Sequence, residues 1–237
     1  MIWMLSLCLL VVVDLSAGVG VATKSINPDI KIIGVASNGA LAMKNSFISK
    51  QAESTKSVRT IADGIAVRDA SPITLEHILN HVDVLESVCE DEIAAGILFL
   101  LEKQKLLVEG AGAVGVAGLM HGKVDLPKGS KVGVILSGGN IDVTMLSLII
   151  EKGLVKSSRK MKLSVILVDK PGALMKFTEL LRDVGANIVQ IGYDRTSIDL
   201  EFGDAVVSVD LETKGVEHQD EVRKALSENR FEFKELQ

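Results

Sequence analysis

One short turn, Ser137-Gly138-Gly139-Asn140, combines residue types that suit a ligand site. A serine hydroxyl can both donate and accept a hydrogen bond, and glycines let the backbone approach a ligand closely. The turn follows 131–136, an apolar, β-branched run that predicts a buried strand. Ligands of open α/β sheets bind beyond the carboxyl ends of the strands, so the turn is a candidate binding site. Such turns also simply end strands, and that interpretation stays open.

Two other segments could contribute to the same site. The first is Thr60-Ile61-Ala62-Asp63-Gly64, and the second is Lys105-Leu106-Leu107-Val108-Glu109-Gly110-Ala111. Glu109 is an acid at a helix start, which interacts favourably with the helix dipole. Asp63 and Gly64 are residue types of an ordinary turn.

The elements around these segments alternate between strand and helix. Such alternation predicts an open parallel sheet with helices on both faces, an α/β fold. A Gly-containing turn, Ala17-Gly18-Val19-Gly20, is expected after the first strand, with a helix continuing to Ser25. The predicted strands are 9–13, 30–35, 82–88 and 131–136, and the other predicted helices are 40–50, 76–80, 90–104 and 111–120.

The last third of the chain repeats a different pattern. A polar, basic stretch at 152–160 predicts a solvated linker, which would separate a domain at 1–151 from one at 161–237. The second domain reads as strand, helix, strand, strand, helix, strand, which is the βαββαβ order of ferredoxin-like folds. The predicted strands are 162–168, 187–193, 204–211 and 231–235, and the predicted helices are 173–184 and 217–228.

Composition narrows the classes of function. The chain has 26 basic and 31 acidic residues and no basic stripe, so nucleic acid is not an expected partner. Cys8 and Cys89 lack the spacing of a disulfide framework or a zinc site, and His77 and His81 fit a solvated helix face better than a metal site. The apolar run 2–13 is too short to span a membrane, and no basic residue precedes it as in a signal peptide. We therefore expect a cytoplasmic protein without a membrane partner.

Taken together, the segment around Asp63, the segment around Glu109 and the Ser137 turn closely resemble the C-terminal half of fold-type II pyridoxal-phosphate (PLP) enzymes. That family includes threonine dehydratase, serine dehydratase and serine racemase, and the resemblance runs from Ala17 to Ser158. It implies that PLP is the cofactor, that Ser137 hydrogen-bonds the pyridine nitrogen, and that Gly138 and Gly139 line the ring. It also implies that Glu109 lies near the ring and that Asp63 and Gly64 border the active site, with a helix-start acid and an ordinary turn as the alternatives. A neutral hydroxyl leaves the nitrogen unprotonated, which suits β-elimination.

The sequence also departs from the family pattern. The family holds PLP as a Schiff base on a lysine of a Ser-Phe-Lys motif, whereas this chain has Ser46-Phe47-Ile48. The family's glycine-rich phosphate loop is replaced by Val11-Val12-Val13-Asp14-Leu15. Side chains there would obstruct converging amides, and an aspartate would repel phosphate. We therefore expect 1–151 to be a partial catalytic domain, without its N-terminal half and inactive on its own.

A divalent-cation site of some relatives is also expected to be absent. The positions that match its ligands are Ala36, Ala40 and Ala42, whose side chains carry no oxygen, so we expect no metal.

The tail resembles an ACT domain, a regulatory module of amino-acid-metabolic enzymes. The resemblance implies an amino-acid effector bound by backbone amides of a ligand loop, with Asn187 as the side-chain partner, and pairing of ACT modules into a homo-oligomer. A turn that merely joins strand to helix is the alternative. The loop residues are Asp169, Pro171, Gly172, Ala173 and Leu174.

The two resemblances together lead us to expect a threonine ammonia-lyase, which deaminates L-threonine to 2-oxobutanoate and ammonia, in a truncated or inactive form. The alternative is a non-catalytic, amino-acid-binding regulatory subunit. A serine racemase or dehydratase is disfavoured by the ACT-like tail.

Overall fold

A computed structural model describes residues 7–196 and 200–236, with side-chain environments described from residue 15 onward. The chain divides into two compact units, Met1–Ile149 and Ile150–Gln237. The prediction for Cys8 lies outside the described side chains.

The first unit contains a four-stranded sheet in the order β3-β2-β1-β4, and each neighbouring pair is parallel. Parallel neighbours require crossover connections, and helices provide them. The strands are β1 Leu7–Val12, β2 Lys31–Ser37, β3 Val84–Val88 and β4 Lys131–Val134. The helices are α1 Val13–Ile26, α2 Ala42–Ser49, α3 Pro72–His81, α4 Glu90–Phe99 and α5 Gly110–Met120. Helix α6, Val143–Lys156, begins in this unit and ends in the second.

Strand β2 shows that helices cover both faces of this sheet. Its alternate residues Ile33 and Val35 belong to one buried cluster, together with α4 and α5. Ile32 and Ala36 belong to another, together with α2 and α3. Since successive side chains of a strand point to opposite faces, the predicted α/β fold with helices on both faces is confirmed.

The predicted turn at 17–20 is wrong, because these residues lie inside α1. A Cβ at Gly20 would lie 2.9 Å from the Cβ of His81 in α3, so the glycine allows the two helices to approach closely. Close packing outweighs the low helix propensity of glycine at this position.

Two predicted helices of the first unit also have different bounds. Helix α3 begins earlier than expected, after Ser71, whose side chain accepts a hydrogen bond from the Thr74 amide, with Pro72 in the first turn. The predicted helix 90–104 is α-helical only to Phe99 and continues as a π-helix over Leu100–Gln104.

The second unit has the predicted βαββαβ order and one antiparallel sheet, β6-β7-β5-β8. The first and third strands lie at the centre, as in ferredoxin-like folds. Helices α7 and α8 bury Phe177, Leu181, Val222 and Leu226 against alternate residues of β5 and β7. The strands are β5 Lys160–Val168, β6 Asn187–Asp194, β7 Asp204–Glu212 and β8 Glu232–Leu236, and the helices are α7 Ala173–Asp183 and α8 Val216–Glu228.

The stretch predicted to be a solvated linker requires correction. Helix α6 continues to Lys156 and β5 begins at Lys160, so only the three residues between them lie outside regular structure. Lys160 is buried, and its ammonium lies 2.6 Å from a carboxylate oxygen of Glu151 and 3.5 Å from one of Asp210. The hydrogen bond that the Lys160 ammonium donates to the Glu151 carboxylate outweighs the opposing effect of burial and raises the pKa of Lys160. Ion pairing therefore orders a segment whose composition suggested a linker.

The apolar run 2–13 lies partly outside the described residues, and its described part forms β1 and the first residue of α1. Across the described ranges, no helix combines the length and apolar character needed to cross a bilayer.

Candidate functional site

The Ser137 turn follows β4 at the carboxyl edge of the parallel sheet, where the sequence placed it. Ser137 is half-buried and Asn140 is exposed. A cavity of about 130 Å³ lies beside the turn, and three segments from different parts of the chain line it. Its polar lining includes Thr60, Asp63, Gly64, Glu109, Asn140 and Asp142, while Ser137 is adjacent to it rather than in its wall.

Glu109 and the turn form one hydrogen-bonded unit. The backbone amide of Asn140 donates to Oε2 of Glu109 at 3.1 Å, and the backbone amide of Glu109 donates to the Gly138 carbonyl at 3.3 Å. Gly138 has a φ of +81°, and a Cβ there would run into the Glu109 carboxylate. Glycine is therefore the only residue that fits at position 138 without displacing the Glu109 carboxylate.

Glycines at the start of α5 bring the three segments together. A Cβ at Gly110 would collide with the Ile61 carbonyl, and a Cβ at Gly112 would collide with the Ser137 carbonyl. Both obstacles are backbone atoms, which cannot rotate away. The glycine- and alanine-rich helix is therefore in direct contact with the loop on one side and with the turn on the other.

Glu90 was not indicated by the sequence, yet it binds the Thr60–Gly64 loop, which contacts Gly110 on its other side. Its Oε2 accepts hydrogen bonds from the Ile61 amide at 2.6 Å and from the Thr60 hydroxyl at 3.1 Å. Its Oε1 accepts one from the Ser37 hydroxyl at 2.6 Å. In the sequence, Glu90 is an acid at the start of the predicted helix 90–104, where interaction with the helix dipole is the ordinary expectation. A serine at the end of a neighbouring strand was the one signal that could have indicated a longer-range role.

The charge around the cavity is negative. Asp63, Glu109 and Asp142 line it, and none of the described lining residues is basic. Such a surface does not suit a phosphate group. At the position expected for a phosphate loop, β1 ends at Val12 and α1 begins at Val13, so no loop separates them. The Ser137 turn beside the cavity offers one hydroxyl and two positions without side chains, which are residue types that suit the ring of a PLP cofactor. Neither the acidic cavity lining nor the junction of β1 and α1 suits its phosphate.

Three alanines occupy the positions that match the cation ligands of some relatives, and all three are buried: Ala36, Ala40 and Ala42. Within the part of the chain that the structure describes, no group of three or more His, Cys, Asp or Glu residues is placed to hold a metal ion. Ser46 is buried in α2, where its hydroxyl donates to the Ala42 carbonyl and accepts from the Glu53 amide.

In the second unit, the loop between β5 and α7 is tied by Asp169. Its carboxylate accepts hydrogen bonds from the Tyr193 hydroxyl at 3.0 Å and from Nε of Arg195 at 2.7 Å. Partial desolvation of this exposed side chain, followed by the hydrogen bond that it donates to Asp169, raises the pKa of Tyr193. Gly172 is exposed with a φ of +88° and precedes the helix. Asn187, predicted to be the side-chain partner of a ligand, donates to Glu212 on β7 at 2.8 Å.

Known proteins match most of this chain. The L-threonine ammonia-lyase of Thermotoga maritima is 41% identical over 220 residues, which are 93% of this chain and 54% of that relative. The catabolic L-threonine dehydratase of Escherichia coli K12 is 40% identical over 134 residues, 56% of this chain and 41% of that relative. The chain thus spans about half the length of the curated relatives it matches.

A solved structure and a family model agree with these relatives. The processed form of threonine deaminase isoform 2 from Solanum lycopersicum superposes with a TM-score of 0.56 at 29% identity, covering 63% of this chain and 45% of that one. The family model described as pyridoxal-phosphate dependent enzyme matches residues 12–138, more than half of the 237. The matched residues include the loop at Thr60, Glu109 and the start of the Ser137 turn. The chain belongs to the family of pyridoxal-phosphate dependent enzymes.

Proposed function

We propose that this chain carries the ring-facing part of a threonine ammonia-lyase active site, in which L-threonine is deaminated to 2-oxobutanoate and ammonia. The observation that carries the proposal is the cavity at the carboxyl edge of the sheet, where the Thr60–Gly64 loop and Glu109 meet beside the Ser137 turn. Membership of the PLP-dependent family and the relatives named for this activity support it.

Each residue of the site has a proposed task. The Ser137 hydroxyl donates to the pyridine nitrogen of PLP, and Gly138 and Gly139 lie against the ring because they have no side chain to hold it away. Glu109 fixes the turn through Asn140. When bound, PLP supplies the electron sink that makes the Cα proton of the amino acid acidic.

We further propose that the chain alone does not turn over threonine. It has no lysine in the Ser46-Phe47-Ile48 segment, and β1 passes directly into α1 where a phosphate would need converging amides. The test is incubation with PLP and L-threonine, measuring 2-oxobutanoate, followed by borohydride reduction and peptide mapping. We expect no 2-oxobutanoate and no stoichiometric pyridoxyl adduct at a single lysine. Detection of the product or of such an adduct would contradict this proposal.

For the second unit we propose an ACT-type regulatory domain that binds an amino-acid effector. Among the described residues, no hydrogen-bond acceptor is found for the amides of Gly172, Leu174 and Met175, so they are open at the start of α7. Free amides at a helix N-terminus are suited to a carboxylate. The strand order supports the same assignment.

Calorimetry with isoleucine, valine, serine and threonine, with and without PLP, separates this proposal from its rival. Tight amino-acid binding without any PLP uptake favours the non-catalytic regulatory subunit. PLP uptake that the amino acids modulate favours the ammonia-lyase. A homo-oligomer and a cytoplasmic location remain predictions, and sedimentation measures the first of them.

A further inference from the structure

Glu90 lies in the first turn of a helix that it does not cap. An acid in this position ordinarily interacts with the free amides of its own helix. Here Cys89 and Glu92 form a capping box, in which the Cys89 amide donates to Glu92 at 2.8 Å. The Glu90 carboxylate instead accepts hydrogen bonds from the Ser37 hydroxyl, the Thr60 hydroxyl and the Ile61 backbone amide.

The hydrogen bonds continue from Glu90 on both sides. The Ser37 hydroxyl also accepts from the Gly39 amide at 2.9 Å, and the Gly39 carbonyl accepts from the Arg59 amide at 3.0 Å. The Thr60 hydroxyl accepts from the Ala62 amide at 3.0 Å. The Glu90 carboxylate therefore connects the end of β2 with the Thr60–Gly64 loop, and the Gly39 carbonyl adds a bond to Arg59, the residue before the loop.

Ala62 anchors the middle of the loop in the core, where its side chain is fully buried. The residues on either side are less well packed, since Thr60 and Ile61 are half-buried and Asp63 and Gly64, which line the cavity, are exposed. On the opposite side the loop rests against Gly110 without room for a side chain. Loss of the carboxylate would leave Thr60 and Ile61 free to move about the buried Ala62, which would change the width of the cavity.

We propose that Glu90 is a positioning residue of the binding site, which acts through the Thr60–Gly64 loop. Hydrogen bonds to a charged acceptor are among the stronger ones in proteins. Three of them at one carboxylate keep the cavity wall at a fixed distance from Glu109 and the Ser137 turn. The identity of the ligand as PLP depends on the proposed function, whereas the ordering of the loop does not.

The test compares Glu90→Ala, Glu90→Gln and the matched control Glu92→Gln. All three remove a charge from the first turn of α4, but Glu92 contacts Cys89 and Lys123 rather than the loop. Amide hydrogen exchange, resolved at Ile61 and Ala62, is measured together with thermal unfolding. PLP affinity is measured by equilibrium dialysis.

We expect Glu90→Ala to speed exchange at these amides by about tenfold or more. Glu90→Gln should restore part of the protection, because its amide oxygen can still accept from Ile61 and its NH₂ can donate to Ser37. Glu92→Gln should lower the melting temperature without selectively exposing the loop. PLP affinity should fall several-fold more in Glu90→Ala than in Glu92→Gln.

Unchanged exchange at Ile61 in Glu90→Ala, or equal exposure in the control, would overturn the proposal. Equal PLP affinities in Glu90→Ala and the wild type would also overturn it. If the wild type takes up no PLP, the proposed cofactor role fails, and the exchange measurement still decides whether Glu90 positions the loop.

Discussion

At the scale of single residues, the site depends on contacts that leave no space for a Cβ. Gly138 lies beneath the Glu109 carboxylate, and Gly110 and Gly112 lie against the backbone carbonyls of Ile61 and Ser137. These glycines are required for different reasons. Gly138 combines a left-handed backbone with close approach, whereas no positive φ is found at the other two.

The first prediction concerns Gly138→Ala, with Gly129→Ala as its control. Both glycines have a positive φ, +81° and +91°, but no atom lies within 4 Å of a Cβ at Gly129. The control should lose about 1 kcal/mol of unfolding free energy from backbone strain alone. Gly138→Ala should lose about 1 kcal/mol more, because it displaces the Glu109 carboxylate from the Asn140 amide.

Chemical denaturation measures the two losses, and the NMR resonance of the Asn140 amide reports on its hydrogen bond. A shift of that resonance in Gly138→Ala but not in Gly129→Ala is the expected result. The same resonance position in both variants would show that Glu109 does not rest on Gly138.

Residue types at the site were predictable, and their partners were not always so. Glu109, Asp63, Gly64 and Asn140 were singled out from local motifs, and the structure places all of them around one cavity. Glu90 was missed because its partners are 29 and 53 positions away in the chain. Asn187 stays a predicted ligand partner, and its hydrogen bond to Glu212, which the strand register places opposite it, could not be read from the local motif.

At the scale of elements, helix α1 shows how packing can override composition. Gly18 and Gly20 suggested a turn, since glycine is a poor helix former. Gly20 is buried against α3, and Gly18 is exposed with open space around it. Only the tertiary contact distinguishes the two glycines, so no local pattern could have predicted it.

The second prediction uses this pair. Gly18→Ala should stabilise the protein by about 0.5–1 kcal/mol, because alanine favours the helix and nothing obstructs its methyl group. Gly20→Ala should destabilise it by about 1–3 kcal/mol, because the methyl would lie 2.9 Å from the His81 Cβ and force the helices apart. Denaturant unfolding of the two variants measures both effects, and stabilisation by both substitutions would be inconsistent with the packing of α1 on α3.

The third prediction concerns the pair that joins α8 to β8. The hydrogen bonds from Arg223 to Glu235, at 2.6 and 3.1 Å, lower the pKa of Glu235 against the opposing effect of burial. Because the folded-state pKa lies below the ordinary value of 4.5, the stabilisation is complete above about that pH and is lost as the pH falls through the folded value.

Melting temperatures between neutral and acid pH test this effect in Glu235→Gln and in the control Glu232→Gln. Glu232 lies on the same strand and has no ion-pair partner among the residues that the structure describes. The Glu235 variant should be less stable than the wild type at neutral pH and should converge with it in acid. The control should follow the wild type throughout, and a constant offset for Glu235→Gln at all pH values would rule out the ion pair as its cause.

At the scale of the whole molecule, two kinds of fold with different periodicities share one chain. The parallel unit was predictable because its buried strands are apolar runs that alternate with helices, and the antiparallel unit because its elements follow the βαββαβ order. The boundary between the two units was not predictable from the sequence, because the ion pairs of Lys160 order residues whose composition resembles a linker. The Thermotoga maritima relative matches along both units.

The proposed function requires that the Ser137 turn and the Glu109 segment face the ring of PLP. Amide-resolved NMR titration of the chain with PLP, and with pyridoxine, which lacks the phosphate, measures whether they do. We predict that both ligands shift the amides of Gly64, Gly110 and Gly138–Asn140, and that Ser137→Ala weakens both responses. Shifts confined to other parts of the chain, or no shifts at these amides, would contradict the account.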